Sequence, residues 1–131
     1  MKIIFVCSGN TCRSPLAESI AKSLLPNDSI ASRGLFAVEG QAISKESLEL
    51  IHKYGLPEPS LAQTFRIDDL DADIILTMTQ AHKDLIFSMY GRQSNVFTLN
   101  EYVGDTQEID DPFGGSFDAV SYTHLRAHET S

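Results

Sequence analysis

The stretch from Lys2 to Pro15 constrains the fold more than any other part of the chain. Lys2-Ile3-Ile4-Phe5-Val6 is a short, nearly unbroken apolar run, the pattern of a strand buried on both faces in a parallel sheet. A Gly-containing loop from Cys7 to Arg13 follows. Ser14-Pro15 then offers a favoured N-cap and a favoured first helical residue. Leu16, Ile20 and Leu24 recur at i, i+4, i+8 on one helical face, and Pro26-Asn27-Asp28 stops the helix. Strand, loop and helix in this order open a βαβ unit.

The pattern repeats downstream. Ile30 to Ser32 reads as a short strand, and Gly34 and Gly40 mark a loop. Ser44 can cap a second helix with Leu48, Ile51 and Tyr54 inward and Gly55 at its end. Pro57 and Pro59 form a linker, and Arg66 to Leu70 a helical turn. Asp73 to Met78 is a second buried-strand pattern. Thr79 caps a third helix with Leu85, Ile86 and Met89 on one face, and Gly91 ends it. Asn95 to Leu99 is a further strand. Strands alternating with helices predict a mostly parallel α/β sheet.

Composition narrows the function. With 131 residues the chain is one domain. At 42% hydrophobic and 21% charged it is an ordinary globular mix, which excludes a disordered chain. Its net charge of −8 repels phosphate backbones, so no nucleic-acid partner is expected. The apolar runs are too short to span a bilayer, so no membrane partner is expected, and no signal peptide is read at the N-terminus. These points predict a cytoplasmic protein, taken as a monomer. Cys7 and Cys12 are the only cysteines, and their C-x4-C spacing fits neither a CxxC redox pair nor a zinc site. His124 and His128 stand at i, i+4 without an evident third ligand, so neither metal nor cofactor is expected.

The chemistry concentrates in Cys7-Ser8-Gly9-Asn10-Thr11-Cys12-Arg13, a C-x5-R sequence. Five intervening residues can wrap a loop whose backbone N–H groups point inward at three phosphate oxygens. The following helix adds its N-terminal dipole, and Arg13 can close the ring with a planar fork on two oxygens. Cys7 then lies at the bottom, where oriented amides and a guanidinium favour the thiolate, a nucleophile facing the bound phosphorus. A second signal is Asp111-Pro112-Phe113-Gly114-Gly115. Attack on a phosphoryl group expels an alkoxide or amine that needs a proton. One acid over the loop serves that step and can later activate water. Asp110 competes with Asp111 for the role. No Walker-type GxxxxGK[S/T] occurs.

Val6 to Pro15 together with Asp111-Pro112-Phe113 resembles the low-molecular-weight protein-tyrosine phosphatase family. Weaker echoes are Ser32-Arg33-Gly34, Leu76-Thr77-Met78-Thr79 and Leu99-Asn100-Glu101-Tyr102. The resemblance implies a four-stranded parallel sheet flanked by helices, and a protein phosphatase acting on phosphorylated proteins through a phosphocysteine. It implies Cys7 as nucleophile, Arg13 as phosphate clamp and Asp111 as general acid, then base. Ser8, Gly9, Asn10, Thr11, Cys12, Ser14 and Phe113 would line the substrate site. Asn10 would brace the loop, Ser14 would hydrogen-bond the Cys7 sulfur, and Cys12 would either pack behind the loop or form a reversible disulfide with Cys7.

Thr11 and Phe113-Gly114-Gly115 resemble the bacterial protein-arginine phosphatase branch of that family. A β-branched hydroxyl at position 11 could orient a guanidinium leaving group, and Phe113 could stack on it. The alternative is a phosphotyrosine substrate. Arsenate reductases of this fold use further cysteines downstream, and none follows Cys12. A non-catalytic phosphate-binding module would need neither thiol nor acid.

The resemblance runs from Met1 to about Ser116, so residues 1–116 are expected to form the phosphatase domain and 117–131 an atypical, non-native tail. Ser121 to Ser131 does not resemble the family's long final helix and looks like translated adaptor sequence, so that helix is expected to be missing or replaced and the chain less stable for it. Arg33 stands where a small residue is expected, either facing solvent or meeting an acidic flank of the substrate.

Overall fold

The computed structural model describes residues 1–11 and 13–103. Cys12, Asp110, Asp111, Phe113 and the stretch 117–131 therefore lie outside the described residues. Four strands form one parallel sheet: β1 (Lys2–Cys7), β2 (Ser29–Gly34), β3 (Ile74–Thr77) and β4 (Val96–Thr98), in the order β2-β1-β3-β4. Helices α1 (Arg13–Leu24), α2 (Lys45–Lys53), α3 (Gln80–Tyr90) and α4 (Leu99–Val103) connect or follow them. The expected four-stranded parallel sheet with flanking helices is the observed one.

The run at residues 3–7 is continuous because both faces of β1 are covered. Ile3, Phe5 and Cys7 pack with Leu16, Ile20 and Ile51 of α1 and α2, and with Leu99 of α4. Ile4 and Val6 point the other way, toward Leu35, Phe65, Ile75 and Ile86. The period of two along a strand thus feeds two separate cores. Strand order reverses about β1, because the chain goes from β1 outward to β2 and then returns to β3 on the opposite side. The carboxyl end of β1 is therefore a topological switch point, the place where a doubly wound sheet opens a crevice for ligands.

Several details differ from the sequence reading. Helix α1 opens at Arg13, so Ser14 sits inside its first turn and its hydroxyl bonds into the preceding loop instead of capping the helix. Tyr54 and Met89 are exposed rather than inward. The inward residues are Ser47 and Ile51 on α2 and His82 and Ile86 on α3. Strand β4 ends at Thr98, and Leu99 begins α4, a helix not expected there. Its cue was present: Thr98-Leu99-Asn100-Glu101 has capping-box spacing. The Thr98 N–H donates to Glu101 Oε1 at 2.9 Å, and the Glu101 N–H to Thr98 Oγ1 at 2.9 Å. Arg33 takes neither anticipated course. Its Nε lies 3.3 Å from Asp69 Oδ2 and its Nη1 donates to Ser32 O at 2.8 Å, with the side chains of Arg33 and Asp69 only 16% and 10% exposed. Gly55, with φ of 61°, ends α2: its N–H reaches His52 O and that of Leu56 reaches Ile51 O, the Schellman pattern. Among the described residues no helix is long and apolar enough to cross a membrane.

Candidate active site

The loop after β1 is fixed first by its backbone. Leu35 N–H donates to Cys7 O at 3.0 Å, Phe36 N–H to Ser8 O at 2.9 Å, and Met78 N–H to Val6 O at 2.9 Å. Neighbouring segments from both sides thus hold the strand exit. Gly34 lies directly beneath the loop. A Cβ there would stand 2.6 Å from Ser8 O and 2.9 Å from Asn10 N, closer than real carbon contacts allow. A small residue is required at this point of the Ser32-Arg33-Gly34 segment so that the loop backbone can descend onto β2.

Asn10 is the loop's buried pivot. Its φ of 55° lies in the left-handed region, which Asn tolerates better than most residues. Its backbone N–H points at Cys7 Sγ, 3.3 Å away, and its Nδ2 donates to Ser32 O at 3.3 Å. Its Oδ1 accepts from Ser14 Oγ at 2.9 Å. Ser14 Oγ also lies 2.8 Å from Cys7 Sγ. Cys7 is buried and carries a free thiol. A backbone amide and a hydroxyl therefore converge on one sulfur at the N-terminal end of α1, and the Asn10 carboxamide holds that hydroxyl.

A second buried network lies behind this one. Glu18, on α1, has no exposed surface, yet carries a carboxylate. Ser32 Oγ donates to its Oε1 at 2.5 Å, Ser60 N–H to its Oε2 at 3.1 Å, and Lys22 Nζ lies 2.6 Å from Oε2. Burying a charge is costly unless it is paired and hydrogen-bonded, and Glu18 is both. Since Ser32 also accepts from Asn10, Glu18 ties α1, β2 and the Ser60 segment into one support beneath the loop.

The rim is held more lightly. Thr11 O accepts the N–H of Ser44, the α2 N-cap, at 2.6 Å. Ser8 is exposed, and its Oγ lies 2.9 Å from Nε2 of His82 in the first turn of α3. His82 itself is buried. Thr11 Oγ1 lies over Gly9, 3.6 Å from where a Cβ on Gly9 would stand. Arg13, half-buried, opens α1 directly after the loop.

The structure thus brings Cys7, Ser8, Gly9, Asn10, Thr11, Arg13 and Ser14 into one cradle, while Cys12, Asp111 and Phe113 lie outside the described residues. An oxyanion seated there would meet the positive end of the three-turn helix α1, which Arg13 opens. Ser32, Gly34, Glu18 and His82 were not read as part of the site. Their contacts with it span the sheet, and only the Ser32-Arg33-Gly34 segment carried a sequence signal, as a faint resemblance.

Comparison with known proteins agrees with this geometry. The family model for low molecular weight phosphotyrosine protein phosphatase matches residues 2–128. A low molecular weight protein-tyrosine-phosphatase PtpB of Staphylococcus epidermidis is 88% identical over 129 residues, covering 98% of this chain and 93% of that one. A PtpB of Staphylococcus aureus is 52% identical over 124 residues, covering 95% and 89%. These alignments run past residue 116, into the stretch set apart above. Among solved structures, a YwlE arginine phosphatase from Geobacillus stearothermophilus superimposes with a TM-score of 0.90 at 28% identity, covering 98% of this chain and 94% of that one. A mutant YwlE arginine phosphatase with a phosphorylated active site serine gives 0.80 at 37% identity, covering 98% and 90%. The fold and the cradle define a cysteine-dependent protein phosphatase. The chain belongs to the low molecular weight phosphotyrosine protein phosphatase family.

Proposed function

We propose that the protein hydrolyses phosphoarginine in protein substrates through a phosphocysteine at Cys7. The observation that carries this reading is Thr11, a loop residue whose hydroxyl oxygen stands 3.6 Å from where a Cβ on Gly9 would lie, and whose hydroxyl would orient a guanidinium or the water that follows it. Support comes from solved neighbours described as arginine phosphatases. The curated relatives are described as protein-tyrosine phosphatases, so phosphotyrosine is the second reading.

The chemistry runs in two displacements. Cys7 sulfur attacks phosphorus while Arg13 and the loop amides hold the equatorial oxygens, and the P–N bond to the guanidino group breaks. Asp111 gives its proton to the departing nitrogen, and Phe113 packs on the guanidinium. Asp111 then takes a proton from water, which attacks the phosphocysteine and releases inorganic phosphate. Ser14 has one hydroxyl proton and two neighbours, Asn10 Oδ1 and Cys7 Sγ. Turning that proton to sulfur stabilises the thiolate as it leaves phosphorus. Cys12 stands within the same seven-residue loop, where it either packs or pairs with Cys7.

The test is kcat/KM on matched phosphoarginine and phosphotyrosine peptides. Faster phosphoarginine turnover, lost in Cys7→Ser, is expected. Faster phosphotyrosine turnover overturns the arginine reading and leaves the phosphatase intact.

A further inference from the structure

His82 is a buried titratable side chain that the reaction above does not use. It sits in the first turn of α3, capped by Thr79, whose Oγ1 accepts the His82 N–H at 3.3 Å. The same Oγ1 lies 3.1 Å from His82 Nδ1. On the far side of the ring, Nε2 lies 2.9 Å from Ser8 Oγ. Ser8 follows Cys7 directly and is exposed at the rim of the cradle, whereas His82 is only 4% exposed.

Two tautomers satisfy these distances, since the Thr79 hydroxyl can accept a second bond as well as donate one. In one of them the Thr79 hydroxyl proton points to Nδ1. The neutral ring then carries its proton on Nε2 and donates it to Ser8 Oγ. That leaves the Ser8 proton directed away from His82, on an exposed residue. A serine at an exposed loop position ordinarily rotates freely. In this tautomer a buried ring occupies one of its lone pairs and so limits where its proton can turn.

We propose that His82 holds this Nε2-protonated tautomer and is a positioning residue of the phosphatase reaction, which aims the Ser8 hydroxyl as a hydrogen-bond donor at the incoming phosphorylated side chain. Preorganised donors contribute because they need not be reoriented when negative charge develops. The placement follows from the sheet order: β3 lies beside β1, so the N-terminus of α3 arrives next to the first residue of the loop.

The inference rests on Cys7 as the nucleophile, which Cys7→Ser tests separately. Its own test uses an aryl phosphate, p-nitrophenyl phosphate, so it does not depend on the arginine or tyrosine preference. Ser8→Ala removes only an exposed hydroxyl, and should keep the wild-type Tm while kcat/KM falls about 10-fold, the usual effect of one hydrogen bond to a charged group. His82→Leu should lose a similar factor, together with some stability, since the ring is buried. In the Ser8→Ala background His82→Leu should cost no further activity, because both act through one hydroxyl. His82→Gln, whose amide nitrogen can reach where Nε2 stood, should recover most of the loss. Wild-type turnover in Ser8→Ala overturns the proposal. So does a His82→Leu loss that persists in full in the Ser8→Ala background, which would make His82 a purely structural residue.

Discussion

The floor and the rim of the phosphate cradle are held by different means. Cys7, Asn10 and Ser14 at the floor are buried and bonded to one another, and Asn10 is bonded also to Ser32 of β2. Ser8 and Thr11 at the rim each reach a helix start, Ser8 Oγ at α3 and Thr11 O at α2, and Ser8 O also accepts the Phe36 N–H. The floor is part of the core, so fold and chemistry there share the same atoms. The rim is a surface resting on that core.

This difference can be broken deliberately, beginning with the floor. Gly34→Val places a branched side chain where even one Cβ would stand 2.6 Å from Ser8 O. The loop must lift, and we expect a loss of about 2–4 kcal/mol with kcat/KM falling by more than about 100-fold. Retained activity, measured beside a melting curve, would show that the loop does not need its contact with β2. Asn10→Ala removes the bonds to Ser32 and Ser14 and leaves at a positive φ a residue that tolerates it less well than Asn, so it should cost about 2–3 kcal/mol. Asn10→Gly keeps the backbone relaxed and loses only the bonds. The gap between the two variants in chemical denaturation separates strain from hydrogen bonding.

The supports of the rim should behave more mildly. Ser44→Ala removes the side-chain cap accepted from the Ser47 N–H, but leaves the backbone N–H that binds Thr11 O. About 1 kcal/mol of stability should go, with kcat/KM unchanged. A parallel fall in activity would show that the α2 cap transmits to the rim. The smallest effect is expected at Glu101. A hydrogen bond from Lys83 and one from the Thr98 N–H hold its carboxyl below the ordinary value. Because the folded value is lowered, its contribution is present at neutral pH and fades as pH falls through that lowered value. Glu101→Gln should therefore lower Tm slightly at pH 7 and converge with the parent in acid. A constant difference across the titration would remove this account.

The sequence was most legible where local chemistry decides. The buried run of β1, the glycine ends of α2 and α3, and the C-x5-R loop were all readable from residue type and spacing. Errors came where tertiary packing overrides local preference. Ser14 has the makings of an N-cap, yet the helix starts a residue earlier because its hydroxyl is drawn into the bonds with Cys7 and Asn10. Tyr54 fits an inward helical stripe, yet the buried side of α2 is set by Ser47 and Ile51. Arg33 offered only a charge, and its partner Asp69 lies 36 positions further along the chain.

What the sequence determined by itself is the class of fold and the loop between β1 and α1, because strand burial, loop length and helix initiation all act over a few residues. What only the tertiary structure decided is the set of groups standing around that loop. Ser32 and Gly34 come beneath it because β2 pairs beside β1, and His82 reaches Ser8 across 74 residues because β3 pairs on the other side. The order of strands, and so the identity of these neighbours, is settled by which faces bury best together, and no single stretch of sequence encodes that.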